Sequence, residues 1–397
     1  MNTFSRATRR RVGVLLLLIV TVLLILWALV QVTGHGYIIA AIRDTYLHRR
    51  LTPAITVGGS SLTRHVREVR MGTAQPWPQD APGLRTVLAQ DLHAQMSAYK
   101  TAAFLVVQDG IIRKEVYWPG FDAHSRTNSN SVAKSFVGSL IGIAVADGKI
   151  RSLDQPVGDY LPAFTTGARA KLTVRHLLTM SAATDFKEDY DNPLDFPARA
   201  HYGSDITDLL VTRFNPIAEP GVTHKYDSSN TAVLGLVLAR ATGQSLSDYA
   251  SEKLWQPMGA EHSALWSLDA ANGIERAYCC LYATARDYAR LGQLYLNGGV
   301  WKGQQLVPSA YVAQAVSAAR LKDATGVPTE RYGYSWWRMT HRGHAAYYAW
   351  GYQGQYIAVI PDKKIVMVRL GDGGGYTQDH DKLDLPLYLD AALLNVR

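Results

Sequence analysis

The chain has 397 residues, 47% of them hydrophobic, a net charge of +8 and only two cysteines. Four arginines among the first eleven residues carry +4, which leaves +4 (8 − 4) over the rest, too diffuse for a nucleic-acid surface. Two cysteines exclude a disulfide framework, so the fold must stand on its apolar core.

Arg6, Arg9, Arg10 and Arg11 precede Val12 to Val30, 19 residues without a charge and mostly Leu, Val and Ile. At about 1.5 Å per residue this run spans roughly 30 Å, one bilayer core. The basic side is expected to stay cytoplasmic. A cleaved signal peptide is the alternative, but Val32-Thr33-Gly34 is a poor small-x-small site. The expected layout is a cytoplasmic tail (1–11), a transmembrane anchor (12–31), a membrane-proximal spacer (32–82) and one large domain (83–397). The spacer holds Pro53, Gly58-Gly59 and Gln75-Pro76-Trp77-Pro78, with some packed segments.

Asp91 to Lys100 reads as a helix, and Ala102–Gln108 as a strand. Asp109-Gly110 is then a two-residue turn, with Ile111–Trp118 the returning strand. After Thr127–Asn130, rich in Asn and Ser, comes Ser131, then Phe136–Val145, apolar nearly all round and therefore a buried helix. Helices are predicted at Val174–Thr179, Thr231–Thr242, Leu246–Leu254 and Thr284–Asn297. The adjacent Cys279 and Cys280 can bridge only through a strained ring, so buried free thiols are expected. Strands return at Tyr332–Met339, Ala345–Trp350, Gln355–Ile360 and Lys364–Leu370, and a last helix runs from Leu383 to Leu394. Gly371-Asp-Gly-Gly-Gly375 reads as a turn near the rim of a cleft. A sheet built from both ends of the chain around a helical insertion is an α/β architecture with a second, helical lobe.

Two S-x-x-K tetrads occur, Ser97-Ala-Tyr-Lys100 and Ser131-Val-Ala-Lys134. The spacing puts a hydroxyl and an amine on one helical face, where a lysine can take a serine's proton. Ser97 lies on an amphipathic helix and reads as solvated surface. Ser131 opens the buried helix, where free backbone N–H groups face its hydroxyl and desolvation pushes Lys134 towards its neutral form. On the tetrad alone, Ser131 as nucleophile and Ser131 as helix cap both remain open. Tyr226-Asp-Ser228 follows the Pro220-Gly221 turn at a second helix start, where a tyrosine can relay a proton into a cleft. Ser228 is expected to hydrogen-bond Lys134 or a substrate carbonyl. His341-Arg-Gly-His344 lacks a carboxylate partner and reads as surface. No His-Glu-x-x-His and no Gly-x-Ser-x-Gly is present. Neither a metal nor a cofactor is expected.

Taken together, these ordered motifs make the chain resemble the serine hydrolases of the β-lactamase and penicillin-binding-protein superfamily. The resemblance is to the class C-like branch that includes 6-aminohexanoate-dimer hydrolases and esterases. It rests on Ser131-Val-Ala-Lys134, Ser152–Pro162, Thr173–Ser181, Tyr226-Asp-Ser228, Thr284–Gly292 and Gly351–Tyr356. It implies a β-lactamase/transpeptidase-like fold over residues 83–397, an antiparallel sheet flanked by helices plus a helical lobe. It makes Ser131 the acylated nucleophile, with Lys134 and Tyr226 as general base and acid. The oxyanion hole falls to the backbone N–H groups of Ser131 and Tyr352. Tyr190, Ser228, Gly351 and Gln353 are the implied substrate-side residues. The family's Lys-Thr-Gly or His-x-Gly motif is missing where expected, Gly351-Tyr-Gln-Gly354 standing in its place, so weak β-lactam hydrolysis is implied. The expected protein is a membrane-anchored ester or amide hydrolase of the bacterial inner membrane, single-pass, with a periplasmic catalytic domain. Its partners are a small-molecule substrate and the bilayer, not nucleic acid. The alternatives are a penicillin- or peptidoglycan-binding sensor without turnover and a D,D-peptidase.

Overall fold

The computed structural model describes residues 6–48, 64–82, 86–190, 192–374 and 384–394; Pro53, Gly58-Gly59, Gly375 and Leu383 lie outside them. Two helices lead, α1 (Arg6–Val32) and α2 (Tyr37–His48), followed by strand β1 (Val66–Val69) and helix α3 (Gln90–Ala98). The hairpin β2 (Thr101–Gln108) and β3 (Ile111–Tyr117) turns at Asp109 and Gly110, both at positive φ (52° and 76°). That is what a tight two-residue turn requires of its central pair. Strand β4 (Thr127–Asn128) leads through a 3₁₀ turn, Asn130–Val132, into α4 (Ala133–Ala146). The helical lobe includes α5 (Phe196–Tyr202) and α6 (Ser228–Thr242). Strands β5 (Ala264–Ser267) and β6 (Leu281–Ala283) precede α7 (Ala285–Leu296). Four strands close the chain, β7 (Trp337–His341), β8 (His344–Gly351), β9 (Gln355–Ile360) and β10 (Ile365–Gly371), before α8 (Leu385–Leu394).

The main sheet is antiparallel with strand order β7-β8-β9-β10-β2-β3, so both ends of the chain share it. Side chains alternate across each strand and line two cores. Leu105, Val107, Ile357, Val359, Val366 and Val368 face α7 through Leu291 and Leu294. Phe104, Val106, Ala358 and Met367 face α8 through Leu385, Tyr388 and Leu389. A smaller antiparallel sheet, β1-β5-β6-β4, brings the segment before residue 82 into the fold. Helix α4 is buried from Ala133 to Ala144. Its Phe136, Val137, Leu140 and Ile141 each contribute about 1.5–3 kcal/mol by leaving water. This is the central helix that the apolar run requires.

Two expectations need correction. The strand predicted from Tyr332 begins only at Trp337, because Ser335 takes a positive φ of 59° and breaks the extended run. Cys279 and Cys280 are not free thiols; they are bonded to each other and buried. Cys280 takes a φ of 66° there, in a turn whose conformation accommodates the ring.

Gly292 on α7 shows how closely helix and sheet approach. A Cβ there would lie 2.5 Å from Val366 Cγ1 and 2.9 Å from Ile357 Cγ2. Replacement of a helical glycine by alanine ordinarily gains up to about 1 kcal/mol; here overpacking costs about 1–3 kcal/mol and outweighs it. Gly292→Ala is therefore expected to lower the midpoint of denaturant unfolding. An unchanged or higher midpoint would show that the sheet yields freely at this contact.

Candidate active site

Ser131 stands in the 3₁₀ turn at the head of α4, and Lys134 follows in the helix's first turn. The hydroxyl caps neither element. Instead Lys134 Nζ donates to Ser131 Oγ at 2.7 Å and to the Tyr278 carbonyl at 2.8 Å. Both side chains are buried. Desolvation pushes the Lys134 ammonium down to about 8, while the nearby Glu188 and Asp227 carboxylates pull the other way. A lysine titrating there is neutral in a substantial fraction of molecules just above neutral pH and can accept a proton. Asn130, next to Ser131, takes a φ of 44°, and its backbone N–H donates to Asn128 Oδ1 at 2.9 Å.

Tyr226 arrives from the lobe just before α6. Burial raises its hydroxyl well above the ordinary tyrosine value, and the neighbouring Ser131 moderates the rise. It is therefore a proton donor at neutral pH, not a tyrosinate. Trp337 and Trp350 pack around it with ring centroids at 5.3 and 6.1 Å, and Lys134 Nζ lies 5.2 Å from its ring centroid. Asp227 caps α6 through the N–H and hydroxyl of Ser229, at 2.8 and 2.6 Å. The expected bond from Ser228 to Lys134 is absent. Ser228 Oγ donates to Glu188 Oε1 at 2.6 Å, and its N–H to Oε2 at 2.8 Å.

Glu188 is the residue the sequence reading missed. It also accepts from Tyr190 Oη at 2.7 Å, so one carboxylate ties the Tyr190 loop to the head of α6. The Tyr190 ring stacks on Tyr352 at 4.6 Å between centroids. Glu188 shares a short loop with Tyr190, which was the available clue.

Residues 351–354 close the site from the end of β8. A Cβ on Gly351 would sit 2.3 Å from the Ser129 carbonyl oxygen, so only glycine lets this strand end approach the turn that carries Ser131. Asn130 Nδ2 donates to the Tyr352 carbonyl at 2.9 Å, which fixes residue 352 beside residue 130. Gln353, at a φ of 62°, presents its carbonyl to Arg369 Nη1 at 2.6 Å. Arg369 is fully buried and also donates to the carbonyls of Gly354, Tyr99 and Gly373. An arginine inside the apolar strand Ile365–Gly371 was the overlooked signal. Ser131, Lys134, Tyr226, Tyr190, Ser228, Gly351, Tyr352 and Gln353 thus converge on one region. Ser97 does not; its hydroxyl donates to the His93 carbonyl and accepts from Trp118 Nε1, both at 2.7 Å. His341 and His344, in the β7–β8 hairpin, are hydrogen-bonded separately to Asp390 and Asp362. That hairpin lies at the far end of β8, about 23 Å from Gly351.

A serine and a desolvated lysine thus stand at the head of a buried helix, beside an antiparallel sheet. Residues 88–391 match the beta-lactamase family. The chain belongs to the beta-lactamase family. The chain is 28% identical over 296 residues to a 6-aminohexanoate-dimer hydrolase of Paenarthrobacter ureafaciens, covering 70% of this chain and 74% of the relative. A solved structure from Bacillus anthracis, provisionally assigned as a 6-aminohexanoate-dimer hydrolase, superposes with a TM-score of 0.71 at 25% identity. It covers 83% of this chain and 89% of its own. A family VIII carboxylesterase shares the fold at 17% identity, with a TM-score of 0.58 over 84% of this chain and 100% of the other. As a member of this family the chain is a serine hydrolase.

The titration of Lys134 sets an expectation for pH. A base works when deprotonated, so kcat/KM for a simple ester should rise with pH through about 8 and then level. Glu188→Gln removes a charge that favours the ammonium, so this limb should move to lower pH. Lys134→Arg, charged at every accessible pH, should abolish the limb together with turnover. A limb that stays fixed in Glu188→Gln would contradict the electrostatic account.

Proposed function

We propose that this chain is a membrane-anchored hydrolase that cleaves an ester or amide bond through an acyl-enzyme on Ser131. The 2.7 Å contact between Lys134 Nζ and Ser131 Oγ in a desolvated pocket is the observation that carries this reading. Neutral Lys134 takes the hydroxyl proton as Oγ attacks the substrate carbonyl. The tetrahedral oxyanion is held by the backbone N–H groups of Ser131 and Tyr352, which act without any particular side chain. Collapse expels the alcohol or amine, which takes a proton through Tyr226. Water then enters, gives a proton to the same relay, and releases the acid.

The wall at Gly351–Gly354 carries no cationic side chain, and Arg369 directs its guanidinium to backbone carbonyls. This favours neutral esters or amides over wall peptides or β-lactams, whose carboxylate needs a cation. Tyr190, Ser228, Gly351 and Gln353 form the substrate-side wall in this reading.

Helix α1 contains one segment, Arg10–Val32, long and apolar enough to cross a membrane, and none of it is buried. We assign it as the single-pass anchor in a bacterial inner membrane, arginines inside and the hydrolase outside. Helix α2 supports a site close to that membrane. It packs on α5, and Tyr37 Oη donates to the Pro193 carbonyl at 3.0 Å, beside the loop of Glu188 and Tyr190.

The test is p-nitrophenyl ester hydrolysis by the full chain in detergent micelles. Ser131→Ala should lose at least about a thousandfold in kcat while keeping its circular dichroism. A short-lived acyl adduct should appear on Ser131 by intact-mass measurement. Equal activity in Ser131→Ala would overturn the proposal. A stable fluorescent-penicillin adduct without ester turnover would favour a binding sensor instead.

A further inference from the structure

The segment Tyr278–Leu281 links the base to the nucleophile's turn. Its four consecutive carbonyls each accept a hydrogen bond, from Lys134 of α4, from the neighbours Trp266 and Ser267 of β5, and from Ser129. Tyr278 O accepts from Lys134 Nζ at 2.8 Å, and Cys279 O from Trp266 Nε1 at 2.9 Å. Cys280 O accepts from the Ser267 N–H at 3.0 Å, and Leu281 O from the Ser129 N–H at 2.8 Å. The Leu281 N–H returns a bond to Ser129 Oγ at 3.2 Å. In the middle of this run sits the bonded, buried pair Cys279–Cys280, with Cys280 at a φ of 66°. A non-glycine residue holds such a backbone only where its surroundings over-determine it. The ring fixes ψ of Cys279 and φ of Cys280, and so anchors the backbone from which the adjacent Tyr278 carbonyl reaches Lys134.

We propose that Cys279–Cys280 is a redox modification site that positions Lys134: closed, the pair holds the Tyr278 carbonyl on Nζ, and opened by a dithiol it releases both. This rests on the reading of Ser131 and Lys134 as nucleophile and base. In the opening step a thiolate of the reductant attacks one sulfur and breaks the S–S bond to give a mixed disulfide. The reductant's second thiol then displaces it. Two electrons and two protons pass to the pair, leaving two cysteine thiols and the reductant as a cyclic disulfide. Burial makes this exchange slow and dependent on opening of the turn from Arg276 to Cys279. His201 Nε2 lies 3.8 Å from Cys279 Sγ, and burial holds its imidazole neutral, near 4. With no imidazolium beside it, the reduced pair stays as thiols. The three residues could gather a soft metal ion only in that reduced form, because both sulfurs are now engaged with each other.

A carbonyl acceptor favours the ammonium form, so its loss lowers the Lys134 titration further. The other groups that face Lys134 are Glu188, Asp227, Tyr226, Tyr278 and His201, with Arg276 behind Tyr278. None of them belongs to the ring. The experiment uses the full chain in detergent, with the bond established by intact mass after alkylation under denaturing, non-reducing conditions. After prolonged dithiothreitol treatment, kcat for a p-nitrophenyl ester should fall about tenfold with KM within about twofold. The limb of the pH profile should move about one unit lower, and reoxidation should restore both. Cys280→Gly keeps the positive φ without the ring, and should show the shifted limb permanently and ignore dithiol. Cys279→Ala/Cys280→Ala should behave alike if it folds. Free thiols in protein purified under oxidising conditions would overturn the proposal. So would reduction, or Cys280→Gly, that lowers thermal stability but leaves kcat and the limb in place. Retained turnover in Ser131→Ala would remove the underlying assignment, whereas a redox-insensitive limb in active wild-type protein removes only this inference.

Discussion

A lysine ammonium placed where Lys134 sits loses nearly all its hydration, and its burial holds it near 8 instead of 10.5. That cost is tolerable because two acceptors meet the nitrogen, Ser131 Oγ and the Tyr278 carbonyl, and two carboxylates lie near enough to moderate it. The burial of α4, the approach of β8 and the turn at Cys279–Cys280 all bear on this one nitrogen. The helix supplies desolvation, the turn supplies the acceptor, and the strand end closes the pocket.

The site depends on three parts of the chain that cannot position each other locally. The head of α4 brings Ser131 and Lys134; the lobe brings Tyr226, and Glu188 with its loop; the sheet brings Tyr352. Backbone fit joins them at Gly351, where no side chain can be tolerated against the Ser129 carbonyl. Polar clamps then hold the parts in register: Asn130 to the Tyr352 carbonyl, Glu188 to Ser228 and Tyr190, Arg369 to four carbonyls. Buried clamps of this kind specify geometry, because each leaves an unpaired polar group if it slips.

What was legible in the sequence was what local pattern controls. Asp109-Gly110 announced the hairpin because its backbone must take positive φ, and the apolar run after Ser131 announced a buried helix. The choice of Ser131 over Ser97 followed from the same pattern. Tyr352 opposite Ser131 came instead from the ordered motifs of a family. What was not legible depends on distant pairing. Glu188 meets Ser228 across 40 positions, and Arg369 meets Tyr99 across 270. The strand expected from Tyr332 failed at a single residue, Ser335, whose φ no propensity foretells. The cysteine pair was misread because the strain of its ring was weighed without the turn that accommodates it.

The central claim is that burial makes Lys134 a base, and lysine-selective NMR titration of the full chain tests it most directly. The Nζ or Cε resonance is assigned by its loss in Lys134→Arg, in a Ser131→Ala background if acylation must be prevented. A midpoint near 8 is the expected result. A midpoint at the ordinary lysine value near 10.5 would leave Lys134 a permanent cation and contradict the account.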